Sequence, residues 1–171
     1  AVGAGALTTA TTAVLNVAIG TSVMELVPAD VALTGCVAIG KDAFQGAAAT
    51  TTGADGTIAI GYQSLQDLTT GAANMAIGYQ AMLEHTTGSN NIAIGYGAMD
   101  DTDAGSDSLD SSHNVFLGLN SGGGTWGNTA ASNYNVAIGN YTLDAALDGA
   151  VNNVAIGYAA LGALTTGDAN V

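Results

Sequence analysis

Aliphatic and very small residues alternate in a short block that returns along the whole chain. Its plainest form is Asn16-Val17-Ala18-Ile19-Gly20, and it recurs as Val37-Ala38-Ile39-Gly40, Ile58-Ala59-Ile60-Gly61, Met75-Ala76-Ile77-Gly78 and Ile92-Ala93-Ile94-Gly95. Val115-Phe116-Leu117-Gly118, Val136-Ala137-Ile138-Gly139 and Val154-Ala155-Ile156-Gly157 continue the series, and Ala1-Val2-Gly3 is a degenerate first copy. A period of two predicts a β-strand with Val and Ile on one face and Ala and Gly on the other. Four residues past the glycine comes a second apolar position: Phe44, Leu65, Met82, Met99, Leu143 and Leu161. That ladder predicts an opposite wall. A unit of about 17 residues fits two strands of about five residues and two turns. The stretch Tyr79–Glu84 has helix-favouring residues, but five or six residues between glycines are too few to hold a helix alone.

The motif glycines are Gly3, Gly20, Gly40, Gly61, Gly78, Gly95, Gly118, Gly139 and Gly157, so the period runs from 17 to 23 residues around an unvarying core. A constant core with variable connections is how a solenoid accommodates insertions, as loops outside the stack. The expectation is an all-β, repetitive β-solenoid of about nine coils, one array over residues 1–171. The chain opens inside the motif at Ala1 and closes on Asn170-Val171, and joining the two ends would restore a full motif. That suggests one segment of a longer fibre, with a boundary set without regard to the repeat as the other reading. A face of methyls and hydrogens gains little in water. It is expected to meet either the chain's own second wall or the same face of other copies, with a homotrimer favoured and a monomeric solenoid as the alternative.

Composition narrows the function. There are 25 glycines and, counted from the sequence, 33 alanines; one Lys or Arg stands against 14 acidic residues, a net charge of −13. A chain with Lys41 as its single cation has nothing to neutralise phosphates, which excludes nucleic acid and anionic membrane surfaces as partners. No apolar run approaches the ~18 residues of a spanning helix, so no membrane insertion is expected. The single cysteine, Cys36, leaves the redox compartment open.

With the motif laid out, the chain resembles two groups. Asn-x-Ala-Ile-Gly repeats are similar to the β-roll heads of trimeric autotransporter adhesins. Ala-Ile-Gly-Tyr-x-Ala-Leu followed by Thr-Thr-Gly and Asn is similar to repeats in phage and prophage tail-fibre proteins; Gly78 to Asn91 and Gly157 to Asn170 match this form best. The resemblance implies a left-handed parallel β-roll in a homotrimeric fibre, continued head to tail by further repeats. It also implies a place outside the cell, on its surface or on a virion tail, where the fibre displays elements that bind a surface glycan or receptor.

Candidate chemistry is sparse. His85 and His113 sit in polar turns with no activated Ser or Cys nearby, and no enzymatic activity or cofactor is expected. Asp101, Asp103 and Asp107 match positions 1, 3 and 7 of a calcium loop, but Gly105 stands at position 5 and no Glu at position 12, so a solvated acidic loop competes with a weak calcium site. Asn140-Tyr141-Thr142 is a glycosylation sequon at Asn140. Asn74, Asn91, Asn114, Asn135, Asn153 and Asn170 are expected to form a structural amide ladder. Tyr62, Tyr79, Tyr96 and Tyr158 read as packing residues or as sugar platforms. Receptor contact would fall on the irregular loops, Asp100–Asp110 and the stretch from Ser121 to Gly127 with the single Trp126. The recurring Thr-Thr pairs raise a rival, a monomeric ice- or carbohydrate-binding solenoid, against which the unequal periods count.

Overall fold

The computed structural model describes residues 1–9, 12, 14–46, 51–102, 110–127 and 129–171. It is a parallel β-solenoid, and among the described residues there is no helix. Each repeat contributes one three-residue strand: β1 (Val17–Ile19), β2 (Val37–Ile39), β3 (Ile58–Ile60), β4 (Met75–Ile77), β5 (Ile92–Ile94), β6 (Val115–Leu117), β7 (Val136–Ile138) and β8 (Val154–Ile156). They form one sheet in chain order. Every neighbour is parallel and in motif register, so that Ile60 stands on Ile39, Ile77 on Ile60 and Ile94 on Ile77. Val2 bridges to Ile19 and extends the stack at its start.

Among the described residues the expected second strand of each coil does not form. The residues after each glycine are turns, and two of them per coil take left-handed backbone angles: Gln63 and Leu65, Gln80 and Met82, Tyr141 and Leu143 all have φ between 46 and 59°. Left-handed residues at alternate positions cannot continue a pleated strand. The wall still pairs coil to coil, as in Gln80 N–H to the Tyr62 carbonyl (2.9 Å) and Met82 N–H to the Ala98 carbonyl (2.9 Å). Stacking with the neighbouring coil therefore meets the backbone's need for partners without a second sheet.

The motif glycine is required twice over. Gly78 has φ 145°, and a Cβ there would overlap the carbonyl oxygen of Gly95 directly above it. Only glycine both takes that angle and lets the next coil approach so closely.

The alternation also settles which face is inside. The middle residue of every strand is buried and its two neighbours are partly or fully exposed. Alanine therefore points into the solenoid and meets the chain's own opposite wall, where Phe44, Leu65, Met82, Met99 and Leu143 are completely buried. The narrow core consists of a methyl from one side and a long side chain from the other. One coil reverses the sizes. In β6 the inward residue is Phe116, and the position four past the glycine is Gly122, where a Cβ would stand 2.5 Å from the Phe116 ring. Trp126 closes this coil from the side, 5.7 Å from the Phe116 ring, with its Nε1–H donating to the Gly122 carbonyl (2.9 Å).

Candidate functional site

Beside the strands runs a column of amides, positioned by the left-handed residue that precedes each one (Ala73, Asn90, His113, Tyr134, Asn152). The Oδ1 of Asn91 accepts the backbone N–H of Asn114 (3.0 Å) and its Nδ2 (3.1 Å). The Nδ2 of Asn114 also donates to the Ser132 carbonyl (2.9 Å). The same arrangement links Asn74 to Asn91, Asn114 to Asn135, Asn135 to Asn153 and Asn153 to Asn170. The column is interrupted where Cys36 and Thr57 hold the corresponding positions, and the buried Thr57 hydroxyl there has no partner. Burial raises the pKa of the Cys36 thiol.

His85 is buried beside this column, not solvated as its polar surroundings in sequence suggested. Its Nδ1 lies 2.8 Å from the Thr102 hydroxyl and its Nε2 3.4 Å from the Asn91 amide. Burial lowers its pKa to about 4, so the ring is neutral at pH 7. His113 is exposed and stacks on Tyr134 at 5.0 Å. The fold gives each histidine its own packing partners and does not pair them.

A feature with no counterpart in the sequence reading lies around Gly123. A Cβ on this residue would stand 3.2 Å from an Oδ1 of both Asp100 and Asp144, and as close to the Cβ of Asn120. Glycine leaves a gap between two carboxylates that occupy the same turn position one coil below and one above. The buried Oδ1 atoms of Asp100, Asp101 and Asn120 have no hydrogen-bond partner. Burial and the nearby Asp101 and Asp144 raise the pKa of Asp100 to about 6, and burial raises that of Asp144. These are oxygen donors of the kind hard cations take, yet no group of three His, Cys, Asp or Glu suited to a metal occurs among the described residues. Of the calcium-loop residues, Asp101 is described, whereas Asp103 and Asp107 lie outside the described residues.

The other sequence candidates take structural places. Tyr62, Tyr79 and Tyr96 stack face to face at 5.2 and 4.9 Å, with Lys41 lying 5.3 Å from the centre of the Tyr62 ring. The stacked rings cover each other's facing sides, whereas Tyr158 is 78% exposed and meets Tyr141 edge to face at 5.8 Å. Lys41 also pairs with Asp42 at 2.8 Å, and this contact raises its pKa. Trp126 is buried and is not an exposed loop anchor. Asn140 is exposed, its Oδ1 accepting the Leu119 N–H (3.0 Å), but the Thr142 hydroxyl of its sequon is buried and donates to the Gly139 carbonyl. In the Thr-Thr pairs, Thr69 Oγ1 donates to the Thr86 carbonyl (2.7 Å), and the Thr87 hydroxyl is buried. Thr52, Thr70, Thr165 and Thr166 are exposed.

What remains outward, large and regular is the Val/Ile face of the sheet. Val17, Ile19, Ile94, Ile138 and Ile156 are 38 to 67% exposed, and their counterparts in the other strands are half-buried by the rungs above and below. Comparison with protein-family models, curated proteins and solved structures found no match to this chain.

Proposed function

We propose that the chain is a structural, non-catalytic segment of an extracellular or virion-attached fibre that holds surface-binding elements at a distance, as a homotrimer continued by further repeats. The observation that carries this reading is the in-register stack: strand lies on strand from β1 to β8, glycine on glycine, and amide on amide from Asn74 to Asn170. Counting the Val2–Gly3 stretch, the motif glycines anchor nine coils, a rise of roughly 43 Å at ~4.8 Å per coil. Such a rod lengthens by adding coils and needs no change elsewhere. The resemblance to tail-fibre and adhesin repeats rests on the repeat itself.

The test is small-angle scattering and electron microscopy on the chain and on a version with residues 74–90 duplicated. The expected result is a rod that grows by one coil, ~5 Å, with a sedimentation mass three times 16.6 kDa. A compact particle whose longest dimension ignores the insertion would refute the fibre reading.

A further inference from the structure

We infer that the outward Val/Ile face of β1–β8 is the self-association surface of this chain, and that its occupant is the same face of other copies aligned in parallel. This rests on the fibre reading for the direction of the copies, because copies grouped around a rotation axis along the rod all run the same way.

The face is unusual for a protein surface. Its sixteen outward positions are all Val, Ile, Leu or Met, without one polar side chain. Eight strands at ~4.8 Å and two residues per strand make a strip roughly 38 Å long and 11 Å wide, about 400 Å². That is the size of the largest apolar patch on an ordinary monomer, and such patches are commonly functional.

Three properties choose the occupant. The strip bears no charge and the single cation of the chain, Lys41, is held by Asp42, so an anionic lipid surface finds no cation to hold it. The strip is a comb of equal rungs at the strand spacing, and its best geometric complement is a comb of the same pitch, which a second copy supplies. About 400 Å² per chain is half of the ~800 Å² that each partner gives to a stable pair. Three copies around an axis parallel to the rod would cover every strip completely and draw in what flanks it. The tyrosine row, beginning two residues beyond the strip at Tyr62, Tyr79 and Tyr96, is half-exposed and extends the contact.

The Ala/Gly face cannot serve instead, because alanine is buried against the chain's own wall. On the sheet the small residues point inward, where the opposite wall supplies Phe44, Leu65, Met82, Met99 and Leu143, and the large ones point outward. That outward layer is accounted for if the face is buried in the assembly.

The test uses the full chain. Ile60→Cys and Ile94→Cys place a thiol on the strip, Thr70→Cys places one on an exposed turn outside it, and native Cys36 is buried and silent. Oxidation is expected to link the first two variants into covalent dimers through like residues and to leave the third unlinked. Ile94→Lys should raise the dissociation constant roughly a hundredfold or more, as expected for a charge forced into the centre of an apolar contact. Circular dichroism on Ile94→Lys, together with Thr70→Lys as a control, separates dissociation from misfolding, since Ile94 is 38% exposed in the single chain. An oligomer that links only through Thr70→Cys and ignores Ile94→Lys overturns the proposed face and leaves the fibre reading standing. A rod that stays at 16.6 kDa up to high concentration overturns self-association altogether. A compact monomer overturns the fibre reading as well.

Discussion

Replacing Asn114 with alanine should cost the fold far more than its size suggests. The side chain makes four buried hydrogen bonds: Nδ2 to Asn91 Oδ1 (3.1 Å) and to the Ser132 carbonyl (2.9 Å), and Oδ1 from the Asn135 N–H (3.0 Å) and from Asn135 Nδ2 (3.1 Å). Asn91 Oδ1 keeps one donor, the backbone N–H of residue 114. The two Asn135 donors and the Ser132 carbonyl lose a partner at a site where Asn91, Asn114 and Asn135 are completely buried. An unsatisfied buried group costs about 1–3 kcal/mol, so the expected loss is about 3–5 kcal/mol. At a urea slope of about 2–3 kcal/mol per molar, that lowers the midpoint by about 1–2 M. Asn170→Ala is the control: this residue is half-buried and gives up only its Nδ2 bond to Asn153 (2.8 Å), so its cost should stay near 1 kcal/mol. Equilibrium urea unfolding followed by circular dichroism reads both. An Asn114→Ala loss no larger than that of Asn170→Ala would mean that the rungs act independently, and the reasoning would fail.

Three further outcomes follow from the packing and the titrating groups. Thr57→Asn should restore the interrupted column: its Oδ1 would meet the Asn74 N–H and its Nδ2 the Gly71 carbonyl, by analogy with the rungs above, and the orphaned Thr57 hydroxyl would be gone. A gain of about 1 kcal/mol in urea unfolding is expected, and a loss would show that this rung is built differently. Gly122→Leu should be severely destabilising because of Phe116, whereas Phe116→Ala with Gly122→Leu recreates the cross-section of the neighbouring coils and should recover most of the stability; a double variant no better than Gly122→Leu alone counts against the size exchange. Between pH 6.5 and 4 two groups oppose each other. The lowered pKa of His85 gives stability that is complete above pH 6.5 and is lost, by about 3 kcal/mol, as pH falls through 4. The raised pKa of Asp100 gives stability that is present below about pH 3.8 and is lost as pH rises through about 6. His85→Gln should therefore flatten the loss on acidification, and Asp100→Asn should stabilise the chain above pH 6 by about 1 kcal/mol after solvent screening. Urea midpoints from pH 4 to 8 check both, and an unchanged acid limb in His85→Gln would sink the first.

The repeat made the stack legible because each of its fixed letters has one physical duty. Gly78 and its equivalents mark where coils touch, Asn91 and its equivalents mark a shared amide column, and the position of Met82 marks the inner wall. Alternation separated two faces of the strand but could not say which was inside. Val/Ile inward over Ala outward is the same pattern with the opposite sign. The single strand per coil was hidden because Gln80 and Met82 carry no mark of a left-handed backbone; the coil stacking imposes it. Phe116 and Gly122 each looked like a lapse from the consensus, and only a cross-section shows that one compensates the other. Asp100 and Asp144 are 44 residues apart, and what brings them together is a glycine between them on the middle coil.

The single-strand coil, bonded to its neighbours above and below, has a mechanical consequence. A 17-residue coil contains about 60 Å of extendable chain yet contributes only ~4.8 Å to the rod. Tension applied between the two ends would peel terminal coils one at a time, and each release would lengthen the chain more than tenfold relative to the rise it gave up. The unequal periods, from 17 to 23 residues, make those steps unequal in a fixed order. A fibre of this design would yield under load in graded increments, absorbing work while the coils that remain stay folded.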